Sequence, residues 1–314
     1  MVYFCEKFEI MAEHHHHHHH HHGPQVADAS LKNVYILSIV LNLTYVIIEA
    51  VAGLYYHSVG LLSDAGHNLS DIISLALALI ALGLLHSHQR KGYTYGYRKM
   101  SVLISLTNAV LLLVAVGAIF VESIGKLLHP VEVNGAVISW TAGAGILVNG
   151  LTTLLLLRKR SHDLNTQGAF LHMLADTLVS VGVVVSGIVI YFTGWYVIDP
   201  IIGLVIAVVI LVGTWDLLKQ SIRLSIDAIP EGVHLDHILE QLQALDGIKE
   251  VHHIHVWPIS TTETALTAHL VVDDLASSES LVHKAKEILS REGIAHSTLE
   301  VETAGHCSDT SVCC

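Results

Sequence analysis

Six long apolar stretches dominate this chain of 314 residues, over about 32–55, 59–85, 100–126, 136–157, 168–193 and 197–218. Each reaches the ~20 residues that an α-helix needs to cross ~30 Å of hydrocarbon. Backbone groups in lipid must bond within their own segment, so such stretches span as helices. Some thirty polar residues precede the first stretch, and it lacks a small-residue cleavage site, so it reads as a span and not a signal peptide. Charged residues make up only 14% of the chain, against about 25% in soluble domains. That excludes an ordinary globular enzyme and a disordered chain. A net charge of −12 without a long basic block argues against nucleic-acid binding.

Lysine and arginine set the orientation. Lys32 precedes the first span, and Arg90, Lys91, Arg98 and Lys99 lie between the second and third. Arg158, Lys159 and Arg160 lie between the fourth and fifth, and Lys219 and Arg223 end the sixth. The opposite loops hold only Lys126. The bias predicts that both termini face the cytosol.

Composition changes near Ser221. From there to Cys314 stand fifteen acidic and five basic residues. Helices are expected over His234–Ala244 and Ser280–Leu289. Strands are expected over Val251–Trp257, Thr264–Val272 and Ser297–Val301, with a turn at Ser260–Glu263. The order α-β-β-α-β predicts a small sheet with helices on one face. The fold class is therefore a polytopic α-helical membrane protein with six transmembrane helices and a C-terminal α+β cytosolic domain. Expected divisions are a disordered His-rich segment (1–30), the membrane domain (31–220), the cytosolic domain (221–303) and a Cys/His tail (304–314).

Ionisable groups inside the spans carry the chemistry. A carboxylate near the bilayer centre costs about 2.5–3.5 kcal/mol on insertion scales, so it needs a cavity, a partner or an ion. The second span holds His67 and Asp71, and the fifth holds His172 and Asp176. Both pairs read His-x-x-x-Asp, and positions i and i+4 share a helix face. Two such faces opposed offer two nitrogens and two oxygens, a tetrahedral set that suits Zn²⁺. The metal's charge balances both carboxylates. Hydropathy boundaries place Asp71 and Asp176 at somewhat different depths. Asn42, Glu49, Asn108, Glu122, Asn149 and Asp199 could line an ion path or serve as packing contacts, and Asp64 fits a helix start or a release path.

A second group of donors lies in the polar domain. His252, His253 and His255 precede His269 on the next expected strand, and Glu300 and Glu302 share a face of the last. Strict alternation puts His253 and His255 on one face and His252 on the other. The tail adds His306, Cys307, Cys313 and Cys314. All four cysteines lie in the terminal segments, where they staple no core. The run His14–His22 reads either as an affinity tag or as a loose metal collector.

The stretch Ser63-Asp64-Ala65-Gly66-His67-Asn68-Leu69-Ser70-Asp71, with His172…Asp176, resembles the cation diffusion facilitator family, in its zinc/cadmium/cobalt resistance branch. Tyr95-Gly96-Tyr97-Arg98-Lys99 is similar to that family's basic loop, and Val251–Trp257 to the opening strand of its cytosolic domain. The resemblance covers about residues 30–303. It implies a homodimer in the lipid bilayer, a ferredoxin-like cytosolic domain, and Zn²⁺ export in exchange for protons, with Cd²⁺ or Co²⁺ as further substrates. It assigns transport to His67, Asp71, His172 and Asp176, and a regulatory Zn²⁺ to His252, His269 and Glu302. The loop between the fourth and fifth spans is short and not His-rich, which points to a bacterial cytoplasmic membrane. Rival readings are an intramembrane zinc hydrolase, a metal sensor and a passive channel. The first lacks a His-Glu-x-x-His string, and a catalytic zinc keeps an open position that four protein ligands close.

Overall fold

The computed structural model describes residues 24–55, 59–85, 87–128, 135–157, 159, 163–275 and 278–303. Six long helices come first: α1 (Pro24–Tyr55), α2 (Val59–Leu85), α3 (Met100–Leu128), α4 (Gly135–Leu157), α5 (Leu164–Thr193) and α6 (Ile198–Ser225). Four described stretches are long and apolar enough to cross a membrane: Ser30–Ala52, Met100–Leu128, Leu164–Thr193 and Ile198–Ser225. In α2 and α4 the corresponding described stretches are shorter, Asp71–Leu85 and Gly143–Leu157. The chain is an integral membrane protein by this architecture and by the family reported below.

Helix ends depart from the apolar boundaries for a physical reason. Pro24 opens α1 inside the segment expected to be disordered, because proline suits the first helical position. Residues 1–23, with the His run, lie outside the described residues. α5 begins at Leu164, four residues before its apolar stretch, because Asp163 caps it by accepting from the Thr166 amide.

The bundle packs α3 on α6, α4 on α5 and α1 on α2, and α2 also meets α5. Small residues allow close approach. A Cβ at Gly182 on α5 would come within 2.7 Å of Ile206 Cδ1 and 2.8 Å of Ile202 Cγ2 on α6. The loop before α3 needs Gly96, at φ +67°, where a Cβ would meet Ser87 Oγ at 2.6 Å and Ser87 O at 2.7 Å.

The C-terminal domain follows as α7 (Leu235–Gln243), β1 (Ile248–Pro258), β2 (Thr264–Val272), α8 (Ser278–Arg291) and β3 (Ile294–Thr303). This is the expected α-β-β-α-β order. The strands form one sheet in the order β1-β2-β3, with β1–β2 antiparallel and β2–β3 parallel. Leu266, Ala268, Leu270 and Val272 of β2 pack with Ile238 and Leu242 of α7 and Leu281, Ala285 and Leu289 of α8. The alternate residues Thr267, His269 and Val271 therefore face away from the helices.

Candidate metal centres

Two described groups of donors converge, one in the bundle and one on the sheet. In the bundle, His172 Nε2 lies 2.8 Å from Asp71 Oδ1 and 3.9 Å from Asp176 Oδ2. Asp71 is fully buried, and the three donor atoms lie within 4.8 Å of one another. Donors around a tetrahedral zinc stand roughly 3.3 Å apart, given metal–ligand bonds near 2.0 Å. The two observed distances bracket that spacing. The helices thus bring Asp71 and Asp176 together, and the depth offset expected from hydropathy disappears. His67 stands one turn before Asp71 on α2, and its side chain is outside the described ones, as is that of Asp64.

Apolar residues pack between this group and the C-terminal domain. Leu75, Leu82, Leu156, Ala169, Phe170 and Met173 form one buried cluster with Leu31 and Tyr35. Leu75 and Leu82 follow Asp71 on α2, and Ala169 and Phe170 precede His172 on α5, so the layer sits on that side of the donors.

On the sheet, His252 pairs in register with His269, and His269 with Glu300. His269 Nδ1 lies 2.6 Å from Glu302 Oε1, and His252 Nε2 lies 3.6 Å from Glu302 Oε2. Glu300 approaches His269 Nε2 at 3.5 Å. Strict alternation fails here. A bulge between His252 and His255 inserts one extra residue on β1, and His253 adopts φ +50°. The ring of His253 consequently lies 5.0 Å from that of His269 and 6.2 Å from that of His255. The bulge gathers the imidazoles on the face that none of the described helices covers. His306, Cys307, Cys313 and Cys314 lie outside the described residues.

Sequence reasoning missed the seam between bundle and sheet. Lys99 Nζ donates to Leu224 O (3.1 Å), Pro258 O (3.0 Å) and Asp227 Oδ1 (2.5 Å). Arg98 Nη1 meets Glu263 Oε2 at 2.5 Å. Thr261 Oγ1, in the β1–β2 turn, donates to Asp163 Oδ1 at 2.5 Å. These partners are 98 to 165 positions apart, so no local pattern announces them. A cavity of about 410 Å³ lies beside this seam, between α5, α6 and the turn, and contains neither donor group.

Comparison with known proteins decides the family. The cation efflux transmembrane domain matches residues 35–224, and the cation efflux protein cytoplasmic domain matches 230–304. The chain belongs to the cation efflux family. That is a family of transporters, so the chain is not an enzyme. It is 34% identical over 293 residues to a cadmium, cobalt and zinc/H(+)-K(+) antiporter of Bacillus velezensis, covering 92% of this chain and 94% of the relative. It is 32% identical over 270 residues to the metal cation efflux system protein CzcD of Cupriavidus metallidurans, covering 85% of each. The zinc transporter ZitB of Pectobacterium atrosepticum is 30% identical over 277 residues, covering 86% of each.

Proposed function

We propose that this protein exports Zn²⁺ from the cytosol in exchange for protons, as a homodimer, by alternating access. The observation that carries the reading is one imidazole nitrogen, His172 Nε2 on α5, standing between the fully buried carboxylate of Asp71 on α2 and that of Asp176 on its own helix. His67 is the fourth donor of this transport site by its position one turn from Asp71. The names of the relatives support metal efflux, with zinc shared by the antiporter and ZitB and with cadmium and cobalt as further substrates. Proton coupling follows from donor chemistry. Free imidazole titrates near pH ~6.5, so protons and metal compete for the same nitrogens in the physiological range.

His252, His269 and Glu302 form a second, regulatory zinc site in this reading, and His306 with the thiols of Cys307, Cys313 and Cys314 is a further capture set for zinc. The open sheet face is the surface that a second copy covers. The excess of Lys and Arg in the loops at one end of the bundle supports cytosolic termini, and the short loop between α4 and α5 fits a bacterial cytoplasmic membrane. Zinc uptake into proteoliposomes, with and without a pH gradient, tests the whole reading. A sensor binds zinc and moves none, and a channel moves zinc without regard to the gradient.

A further inference from the structure

The helix α1 turns a polar face inward. Tyr35, Ser38, Asn42, Tyr45 and Glu49 recur at spacings of three and four, so they stack on one side. All five are buried, the first three completely. The remaining faces expose Ile36, Val40, Leu43 and Ile47. Polarity buried inside a membrane bundle is costly to keep, and it marks function when it forms a continuous path.

Both ends of this face are tied to functional elements. At the end near the C-terminal domain, Tyr35 Oη donates to Thr166 Oγ1 at 2.9 Å, and Thr166 Oγ1 donates to Asp163 Oδ2 at 3.3 Å. At the other end, Asn68 Nδ2 donates to Glu49 Oε2 at 2.8 Å, and Asn68 precedes Asp71 by three residues on α2. Between them, Asn42 Nδ2 donates to Ser38 O at 2.9 Å and to Thr152 Oγ1 on α4 at 3.1 Å. Tyr45 reaches α4, where a Cβ at Gly145 would lie 3.8 Å from Tyr45 Oη.

Three oxygens along this path make no hydrogen bond to the protein: Ser38 Oγ, Asn42 Oδ1 and, on α4, Asn149 Oδ1. Asn149 stands three residues before Thr152, on the same side of α4. Buried polar atoms are paired with protein or with ordered water. Neighbouring side chains on one helix face stand about 5–6 Å apart at Cβ, a gap that a single water bridges.

We propose that the inward face of α1 is a file of water that carries protons past the apolar layer to the metal donors, from Asp163 to the Glu49–Asn68 pair beside them. The proposal rests on the proton-coupled reading above. It answers a specific obstacle, the apolar layer of Leu75, Leu82, Leu156 and Phe170 that separates the donors from the C-terminal domain. Tyr35 belongs to that layer and brings a hydroxyl through it. In each step an O–H bond forms on one water as an O–H bond on its other side breaks towards the next. One proton moves in total, and the hydroxyls of Tyr35 and Ser38, which both donate and accept, end as they began. Asn42 takes no proton and holds water through Oδ1.

Two measurements on the full-length protein in lipid test this. Hydroxyl-radical labelling reads water directly. Tyr35 and Tyr45 should be labelled several-fold faster than Phe170, an aromatic ring in the apolar layer. Equal, slow labelling of all three overturns the file. The second measurement separates proton movement from metal movement. Asn42→Leu should slow net zinc/proton exchange roughly tenfold, the factor that one hydrogen bond to a charged group supplies. It should leave exchange of radiolabelled zinc for zinc near normal, since that moves no net proton. Ser38→Ala, a milder change, should act in the same direction if the leucine variant does not fold. Equal loss in both modes, or no loss in either, overturns the proton role. A wild-type flux that ignores the pH gradient removes the antiport reading and the proton role with it, and the labelling still decides whether water fills the path.

Discussion

Nε2 of His172 on α5 stands 2.8 Å from Oδ1 of Asp71 on α2, a pairing across 101 positions of sequence. It joins two helices at the point where the carboxylate of Asp71 has no exposed surface. The same nitrogen faces Asp176 one turn along its own helix. Metal binding at this point would exchange one short polar contact for a set of metal–ligand bonds, so the pair has two competing uses.

Asp71→Ala and Asp176→Ala should each reduce zinc flux in proteoliposomes to background. Each removes one of the two charges that balance the metal. Both variants should elute from gel filtration as the wild type does, because apolar packing around them remains. Near-normal flux in either variant would place the transport site elsewhere.

His67→Asp should keep transport and change its metal ranking. The substitution replaces a borderline nitrogen donor with a harder oxygen and adds a negative charge. Competition assays should show Mn²⁺ gaining on Zn²⁺. An unchanged ranking would remove His67 from the donor set.

Much of this was legible in sequence because it is local. Hydropathy locates the helices, and the i, i+4 spacing pairs His172 with Asp176. The strand Thr264–Val272 coincides with its expected range. Three kinds of feature escaped. Hydropathy marks where apolarity begins, so it overlooked the polar first turn of α5 and its Asp163 cap. Alternation assumes an unbroken strand, so it set His252 apart from His253 and His255, which the bulge at His253 brings onto one face. The seam between the two parts of the chain, with Lys99, Arg98 and Thr261, depends on contacts that no period in the sequence encodes.

The sheet donors should bind zinc without setting the maximal rate. In titration calorimetry of the full-length protein, His252→Ala with His269→Ala should lower the number of zinc ions bound. Flux should fall mainly at low zinc, because the membrane donors are intact. Deleting 305–314 should also lower zinc binding and leave flux above half of normal, since the tail is far in sequence from α2 and α5. Unchanged stoichiometry in both variants would remove the second site.

Lys99→Ala should loosen the junction more than Arg98→Ala does. Lys99 reaches three oxygens, two of them carbonyls at Leu224 and Pro258 that lose their donor. Arg98 makes one ion pair in which both side chains are 35% exposed, and solvent screens such pairs. The Lys99 change should cost about 1 kcal/mol after allowance for its exposure. Limited proteolysis between α6 and α7 reads the effect. Faster cleavage in the arginine variant than in the lysine variant would reverse this ranking.

Asp163 does two jobs with two oxygens, and its variants should separate them. Oδ2 accepts from the Thr166 amide at 3.0 Å and caps α5, while Oδ1 accepts from Thr261 Oγ1. The residue is 8% exposed, so water replaces neither contact freely. Asparagine is as good a cap as aspartate, yet it has a single acceptor oxygen and cannot serve both partners. Asp163→Asn should therefore keep the helix start and lose the tie to the β1–β2 turn. Asp163→Ala should lose both, at a cost of about 1 kcal/mol for the cap alone and more for the stranded hydroxyls. Thermal unfolding of the purified protein should rank wild type above asparagine above alanine. Thr261→Val, which removes only the hydroxyl, should match the asparagine variant. If asparagine at 163 behaves as wild type while Thr261→Val does not, the threonine hydroxyl acts through Ser101, whose Oγ accepts from Thr261 Oγ1 at 3.5 Å, and not through Asp163.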